Sequence, residues 1–462
     1  MKSLTAIFSQ NGRKDTEGKT PSLRSRIQSG GAFTLGGFGI GQILRLLSNL
    51  VLTRLLAPEA FGLMAIAISI NIWAVMLTDI GIATNVIRSR NSGDQAFLRT
   101  AWTIQIIRNA VVWLIIVLTA LAIFLLAKAE VFRPESVFAT PLLPLVMGAV
   151  SVQLLISGFS STNQYAAQRT LSMGRVVSLE IATQLFTMMV TISFAFLGYG
   201  VWALVIGMVV GTIVHTIASH LVFQGPVMRL QFNKAYAAEI FHFGKWLIIA
   251  SFFGFLVNRG DQILFGGLME GNRFGQYAVA SMWLIAGATV METVISRIFY
   301  PAFSEILRDR PQDITQAYRK ARLLIDGAAF TLGYGAFFLS EFVFSIIYPE
   351  NFTGVGYYLK LLSPFLLMAP FKLINTVVLA SGDSRNFTAI TVLAGASMLV
   401  VTPTVYHLFG EKAAVVSFAA IEMVALPIIW RLGAKYVSLD PWTEARSLAS
   451  IALLVTLIFT IG

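Results

Sequence analysis

The sequence predicts an all-α, polytopic membrane protein built as two pseudo-symmetric six-helix bundles followed by one short apolar segment. Three observations lead there. The 462 residues are 56% hydrophobic and only 12% charged, a balance that a soluble domain of this length does not show. The apolar residues fall in runs of roughly 20, the length that crosses a hydrocarbon core about 30 Å thick. Finally, the first pair of runs recurs later in one register. Gly41, Asn49, Leu55, Phe61-Gly62, Ala65, Ala67 and Asp79 align with Gly254, Gln262, Leu268, Phe274-Gly275, Ala278, Ala280 and Glu292. Arg45 falls on Asn258, beside Arg259. Duplicated halves are a common plan for secondary transporters, with the substrate site between them.

Taken in order, spans are expected at residues 31–55, 60–84, 101–127, 140–160, 176–197 and 200–223, then at 243–267, 275–300, 322–347, 357–380, 388–408 and 412–432. The breaks between them carry Pro58, Pro134, Gly198-Tyr199-Gly200, Gly225-Pro226, Pro311, Pro349 and Gly382-Asp383, residues that end helices. A thirteenth stretch, 447–461, is short; it either spans or lies in the interface. The resulting division is a basic cytoplasmic tail (1–29), an N-terminal bundle (30–224), a linker (225–242), a C-terminal bundle (243–435) and the last segment (436–462). The polar tail has no apolar core near its start, so the first span is expected to serve as its own insertion signal rather than follow a cleaved one.

Orientation comes from the loop lysines and arginines. With the N-terminus inside, twenty-two of the 34 basic residues fall in inner segments and five in outer loops. The net charge of +11 therefore reports topology and contact with anionic lipid heads rather than nucleic acid. Six spans per half make the repeats parallel, with a pseudo-twofold axis along the membrane normal. The loops are too short for a soluble catalytic domain, and the chain has no cysteine, so disulfides and thiolate metal sites are excluded. The four histidines lack metal-ligand spacing.

Seven basic residues remain for the spans. Lys245, Arg297 and Lys360 lie near span ends and can snorkel; Arg108 is two turns in. Arg45, Arg259 and Lys372 lie deep, where a charge is costly unless it faces protein or a water-filled cavity. Gln42, Arg45 and Asn49 share one helical face, and Asn258 and Gln262 occupy the aligned positions of the repeat. Two matching polar stripes point either to a shared aqueous cavity between the halves, or to a dry network in which Arg45 or Arg259 pairs with Asp261. Asp79 and Glu292, equivalent in the two repeats, are candidates for gate ion pairs on the inner side. Glu422, deep in the twelfth span, is either a partner for Lys372 or a carboxylate that couples transport to protons or cations. Gly37 and Gly41, and Gly207 and Gly211, read as sites of close helix packing.

The stretch Leu52-Thr-Arg-Leu-Leu-Ala-Pro-Glu-Ala-Phe-Gly62, followed by Leu77-Thr-Asp-Ile-Gly-Ile-Ala-Thr84, resembles the polysaccharide transporter family of oligosaccharide flippases, in the multidrug/oligosaccharidyl-lipid/polysaccharide exporter superfamily. The resemblance implies a V-shaped pair of bundles working by alternating access in a bacterial plasma (inner) membrane. It implies a polyprenyl-pyrophosphate-linked oligosaccharide as cargo, for lipopolysaccharide or exopolysaccharide synthesis, and a cationic central cavity to which Arg45, Arg259 and Lys372 would belong. The arginines suit phosphate oxygens, and Gln42, Asn49, Asn258 and Gln262 suit sugars. An ion gradient, of protons or sodium, is expected in place of any cofactor. Membrane lipids are expected partners, with a polysaccharide polymerase and export machinery as candidates. The alternatives are a multidrug-type exporter, for which an acidic site is usual; an intramembrane enzyme, which would need paired carboxylates in a sizeable outer loop; and a transport-dead scaffold.

Overall fold

The computed structural model describes the backbone of residues 23–78, 81–83, 86, 91, 94–169, 173–244 and 247–461. Asp79 and Lys245 lie outside the described residues, as does the side chain of Asn258. Almost everything described is helical, and nine helices among the described residues are long and apolar enough to cross a membrane. The chain is a multi-pass membrane protein.

The N-terminal half contains α1 (Leu23–Leu52), α2 (Pro58–Leu77), α3 (Gln95–Lys128), α4 (Leu142–Gly158), α5 (Met173–Phe196) and α6 (Val201–Val222). Pro58 starts α2 because its missing N–H falls where the helix leaves a donor unpaired anyway. Asp94 caps α3, accepting from the Ala96 N–H at 2.8 Å. Arg108 caps the other end of α2: its guanidinium donates to the carbonyls of Thr78 (2.9 Å) and Val75 (2.8 Å), placing a cation at the negative end of the helix dipole. The glycine pairs are contact points. A Cβ on Gly37 would lie 2.0 Å from Val177, and one on Gly207 or Gly211 would overlap the hydroxyl of Thr191 or Thr187.

An amphipathic connector, α7 (Lys234–Gly244), leads to the second half. The strand-like stretch before it is zipped onto the start of α3, where Thr103 Oγ1 donates to the Gln231 carbonyl at 2.9 Å. The second half contains α8 (Leu247–Leu268), α9 (Gly271–Val294), α10 (Tyr300–Asp309), α11 (Ile314–Ile347), α12 (Gly354–Leu362), α13 (Ala369–Ala380), α14 (Ser384–Ala419), α15 (Leu426–Gly433) and α16 (Pro441–Ile461). It departs from the expected spans in three places. The tenth span is broken, with a 3-10 segment Ser363–Met368 between α12 and α13. The twelfth is broken as well, by a 3-10 segment Ile421–Ala425 before α15, while Gly410, at φ +82°, kinks α14 where the eleventh and twelfth were expected to part, a conformation only glycine adopts cheaply. The last helix starts at Pro441 and has 21 residues, long and apolar enough to cross. Its first turn escaped the hydropathy reading because Glu444 and Arg446 interrupt it.

The repeat is visible in the packing. Helix α1 packs along α5, and its counterpart α8 packs along α14. The halves meet chiefly through α2 and α9, where residues 213 apart in sequence face one another: Asn272 donates to Glu59 at 2.8 Å. Gly62 likewise meets its counterpart Gly275, and a Cβ on Gly62 would lie 3.3 Å from the Gly275 nitrogen. Contacts between equivalent positions are what a local twofold axis demands. The fit is tight, since a Cβ on Gly275 would lie 2.0 Å from the Pro58 carbonyl oxygen.

Gly275→Ala is therefore expected to lower the thermal midpoint of the detergent-purified protein, with an overpacking cost of ~1–3 kcal/mol. Gly267→Ala is the control, because a Cβ there meets Phe138 at an ordinary 3.6 Å. Equal midpoints for the two variants would refute the close approach.

Candidate functional site

One face of the molecule, that of the α1–α2 and α8–α9 turns, is closed between the halves. Arg133 donates to the Leu268 carbonyl at 3.1 Å, the Gly271 N–H to the Glu135 carbonyl at 3.1 Å, and Ser136 bridges Glu270. One layer deeper, Trp283 Nε1 donates to Tyr348 Oη (2.7 Å), and that hydroxyl donates to Asn49 Oδ1 (2.6 Å). Asn49 Nδ2 in turn reaches Met282 Sδ at 3.2 Å. Asn49, on the expected sugar-facing stripe, is thus 5% exposed and closes the seal while also lining the N-terminal cavity.

That cavity, of about 680 Å³, lies beyond the seal among α1, α2, α4, α5 and α6. Thr183, Gln184, Thr187, Thr191 and Thr212 give it a hydroxyl and amide wall, faced by Met64, Met188, Met208 and Met282. Thr183, Thr187 and Thr191 donate back to their own helix at 2.8 Å, leaving the oxygen lone pairs toward the cavity as acceptors. Arg45, one turn from Asn49, lines the same space and is solvent-exposed. Arg259 comes from the other half, and the two guanidiniums are close enough to repel one another. Among the described residues, no carboxylate lies within 4 Å of either. Neither arginine makes a direct contact with Asp261, although Arg259 is close enough to act on its charge. Asp261 is instead buried at 4% exposure and accepts from Tyr277 Oη (2.6 Å) and Gln262 Nε2 (2.8 Å). Gln262 is 2% exposed, and its Oε1 has no partner. Gln42 is buried and lines neither cavity.

A second cavity, of about 380 Å³, lies inside the C-terminal half. Lys372 Nζ sits between two carboxylates there, Glu292 at 2.8 Å and Glu422 at 3.3 Å, with the Phe365 ring 4.9 Å away. Lys372 is therefore neutralised rather than a free cation, and the triad carries two formal negative charges against one positive. Glu292, expected in a gate pair, and Glu422 both belong to it. Each member comes from an interrupted helix. Glu292 precedes a π-helical turn, Ile295–Phe299; Glu422 sits in a 3-10 segment, Ile421–Ala425; Lys372 follows the 3-10 segment that ends at Met368. Irregular turns of this kind recur at functional sites and, at membrane depth, where protein or a cavity can satisfy the freed backbone groups. Asn375 also lines this space, its Oδ1 buried and unpartnered.

Sequence reasoning missed Tyr348 and Tyr277, which reach across from other spans, and it counted Arg322, at the start of a span, among the inner basic residues although it is 2% exposed. For Tyr348 the available signal was Asn49: a buried amide needs a partner.

Lys372→Met is expected to destabilise the protein by about 1–3 kcal/mol, since it leaves two carboxylates without their counter-ion. The loss stays below the ~3–5 kcal/mol of a dry ion pair, because Glu292 is 43% exposed. Adding Glu292→Gln and Glu422→Gln to Lys372→Met should restore the thermal midpoint; failure to do so would show that the triad is not an electrostatic unit.

The sequence pattern of the family described as "Polysaccharide biosynthesis protein" matches residues 51–355. The lipopolysaccharide biosynthesis protein WzxC of Escherichia coli (strain K12) is 22% identical over 346 residues, covering 74% of this chain and 67% of WzxC. Two solved structures share the fold. A multidrug resistance MATE family transporter of the MOP superfamily, in an inward-facing conformation, has a TM-score of 0.66 at 15% identity over 88% of this chain and 95% of its own. The lipid II flippase MurJ, in an inward closed conformation, has a TM-score of 0.65 at 13% identity over 93% and 92%. With the family pattern matched over more than half of its length, and with the MOP-superfamily transporter fold around two charged cavities, the chain belongs to the polysaccharide biosynthesis protein family.

Proposed function

We propose that this protein is a flippase that moves a polyprenyl-pyrophosphate-linked oligosaccharide across a bacterial plasma membrane by alternating access, supplying surface polysaccharide synthesis. The observation that carries the proposal is the pair Arg45 and Arg259. One comes from each half, they repel one another, and among the described residues neither has a carboxylate within 4 Å, Asp261 acting on Arg259 only from farther off. Two like charges in a partly desolvated site gain most from an anion that bridges them, and a pyrophosphate offers oxygens for both planar forks. The hydroxyl-lined cavity beside Arg45 suits the glycan, and the apolar tail stays in lipid. The names of the relatives WzxC and MurJ support this class of cargo. The protein acts as a transporter rather than an enzyme.

With the basic tail in the cytoplasm, the sealed face is the outer one. The seal around Asn49 and Tyr348 must then break for release. The surplus carboxylate of the Glu292–Lys372–Glu422 triad is the group we assign to coupling, taking up a proton or sodium ion when the gradient drives the change. Asp261, held by Tyr277 and Gln262, is a second candidate. Asp79 and Asn258 keep their sequence-based assignments, gate and cavity, as proposals. A polymerase and export machinery would take the product onward. A second reading, export of organic cations, draws on the net negative triad and the MATE-like fold.

The deciding experiment measures lipid-linked oligosaccharides by mass spectrometry, together with surface polymer, in cells lacking the protein. Complete lipid-linked units should accumulate and polymer should fall. Wild-type protein should reverse this, whereas Arg45→Ala and Arg259→Ala, at equal abundance, should retain less than about a tenth of the flux, the loss typical of a charge-assisted contact. No accumulation, with cation efflux lost instead, would favour the second reading.

A further inference from the structure

Arg322 takes no part in either cavity, yet it is among the most enclosed large side chains in the described protein. Its guanidinium is fully used. Nε donates to Asp326 at 3.1 Å, Nη1 to Tyr318 Oη at 3.1 Å, and Nη2 to Glu444 at 3.3 Å and Ser447 Oγ at 3.1 Å. Glu444 and Ser447 belong to the last helix, α16. Trp430 Nε1 of α15 donates to the same Glu444 at 2.9 Å, and Arg446 reaches Asp326 at 3.3 Å. Two cations thus answer two carboxylates in a closed network, the condition under which buried charge is tolerated.

One further bond leaves the network for the transport site. Arg322 Nη1 donates to the Pro370 carbonyl at 2.8 Å, and the guanidinium lies 4.9 Å over the Phe371 ring. The next residue is Lys372. This first turn of α13 follows a 3-10 segment, and Pro370 has no N–H with which to fix its own register. The Arg322 contacts hold it from outside.

We propose that α16 is a working part of the C-terminal cavity, and that Arg322 is a positioning residue which, held by Glu444, sets the α13 turn that presents Lys372 to Glu292 and Glu422. A helix that hydropathy alone treats as an appendage thereby becomes a determinant of the triad's geometry. The inference rests on the flippase reading only for its transport readout.

Because the sequence contains no cysteine, single cysteines can report on each cavity in the protein. Asn375→Cys samples the C-terminal cavity one turn from Lys372, and Thr212→Cys samples the N-terminal one. In a Glu444→Gln background, which keeps the shape of the side chain, maleimide labelling of position 375 is expected to change by roughly tenfold, within the range of a direct network coupling. Labelling at position 212 should stay the same. Without the reporter cysteines, flipping should fall by a similar factor in Arg322→Met, and Arg322→Lys, which keeps the charge, should lie between it and wild type. Unchanged labelling at 375 in monodisperse Glu444→Gln protein would overturn the inference. So would equal changes at 375 and 212, which would mean general loosening. If the wild-type protein flips no lipid-linked glycan, the transport reading fails, and the labelling still decides this inference.

Discussion

A charge placed inside a bilayer must be answered by something, and the architecture of this protein is arranged around the several ways it does so. The cost of an unanswered cation in hydrocarbon is several kcal/mol at the least. Lys372 is answered twice by carboxylates, Arg322 by a closed network, and Arg108 by two helix-end carbonyls. Arg45 and Arg259 face one another across the halves, and among the described residues neither has a carboxylate within 4 Å, though Arg259 lies close enough to Asp261 to act on its charge. In a fold that otherwise compensates its charges so thoroughly, the pair left open at the junction of the halves is where an anionic ligand has most to gain.

The two halves divide the chemistry between them. The N-terminal half contributes a roomy cavity walled by threonines and methionines, a surface that offers acceptors and soft apolar contact without a rigid shape. The C-terminal half contributes interrupted helices, an ion triad and the buried Asp261. The duplicated fold therefore carries one half with a hydroxyl-lined cavity and one with a paired-charge cavity. The seal through Asn49, Tyr348 and Trp283 joins them, because its amide comes from the N-terminal half and its rings from the other.

Much of the fold was legible in the sequence because hydropathy, glycine pairs and the repeat register are local signals. Gly207 and Gly211 meet helix α5 as small residues should, and the hairpin repeat meets itself through Glu59 and Asn272. The Lys372–Glu422 contact could be named in advance because so few charges lie that deep. The partners of Asn49 and Asp261 could not, since periodicity says which face a residue occupies but not which distant helix covers it. The Arg322–Glu444 pair could not be named for a related reason: a balanced cluster buried at a helix end has the same local composition as a solvated one. Gly410 lies between the spans expected at 388–408 and 412–432, and its positive φ there separates one helix from the next.

The Glu59–Asn272 contact has one more consequence. A residue beside a twofold axis faces its own copy whenever the two halves are identical. Two separate chains of the N-terminal type would set one glutamate against another at that point, and a carboxylate pair at hydrogen-bond distance cannot share a contact unless one of them keeps a proton. A single chain is free of this restriction. Once the halves are covalently joined, one copy can become the donor and the other remain the acceptor, while Gly62 and Gly275, which need no partner, stay alike. Asymmetry at the axis is thus something that covalent fusion permits and self-association of equal halves forbids, and it gives this protein a permanent distinction between its two sides at the place where they meet.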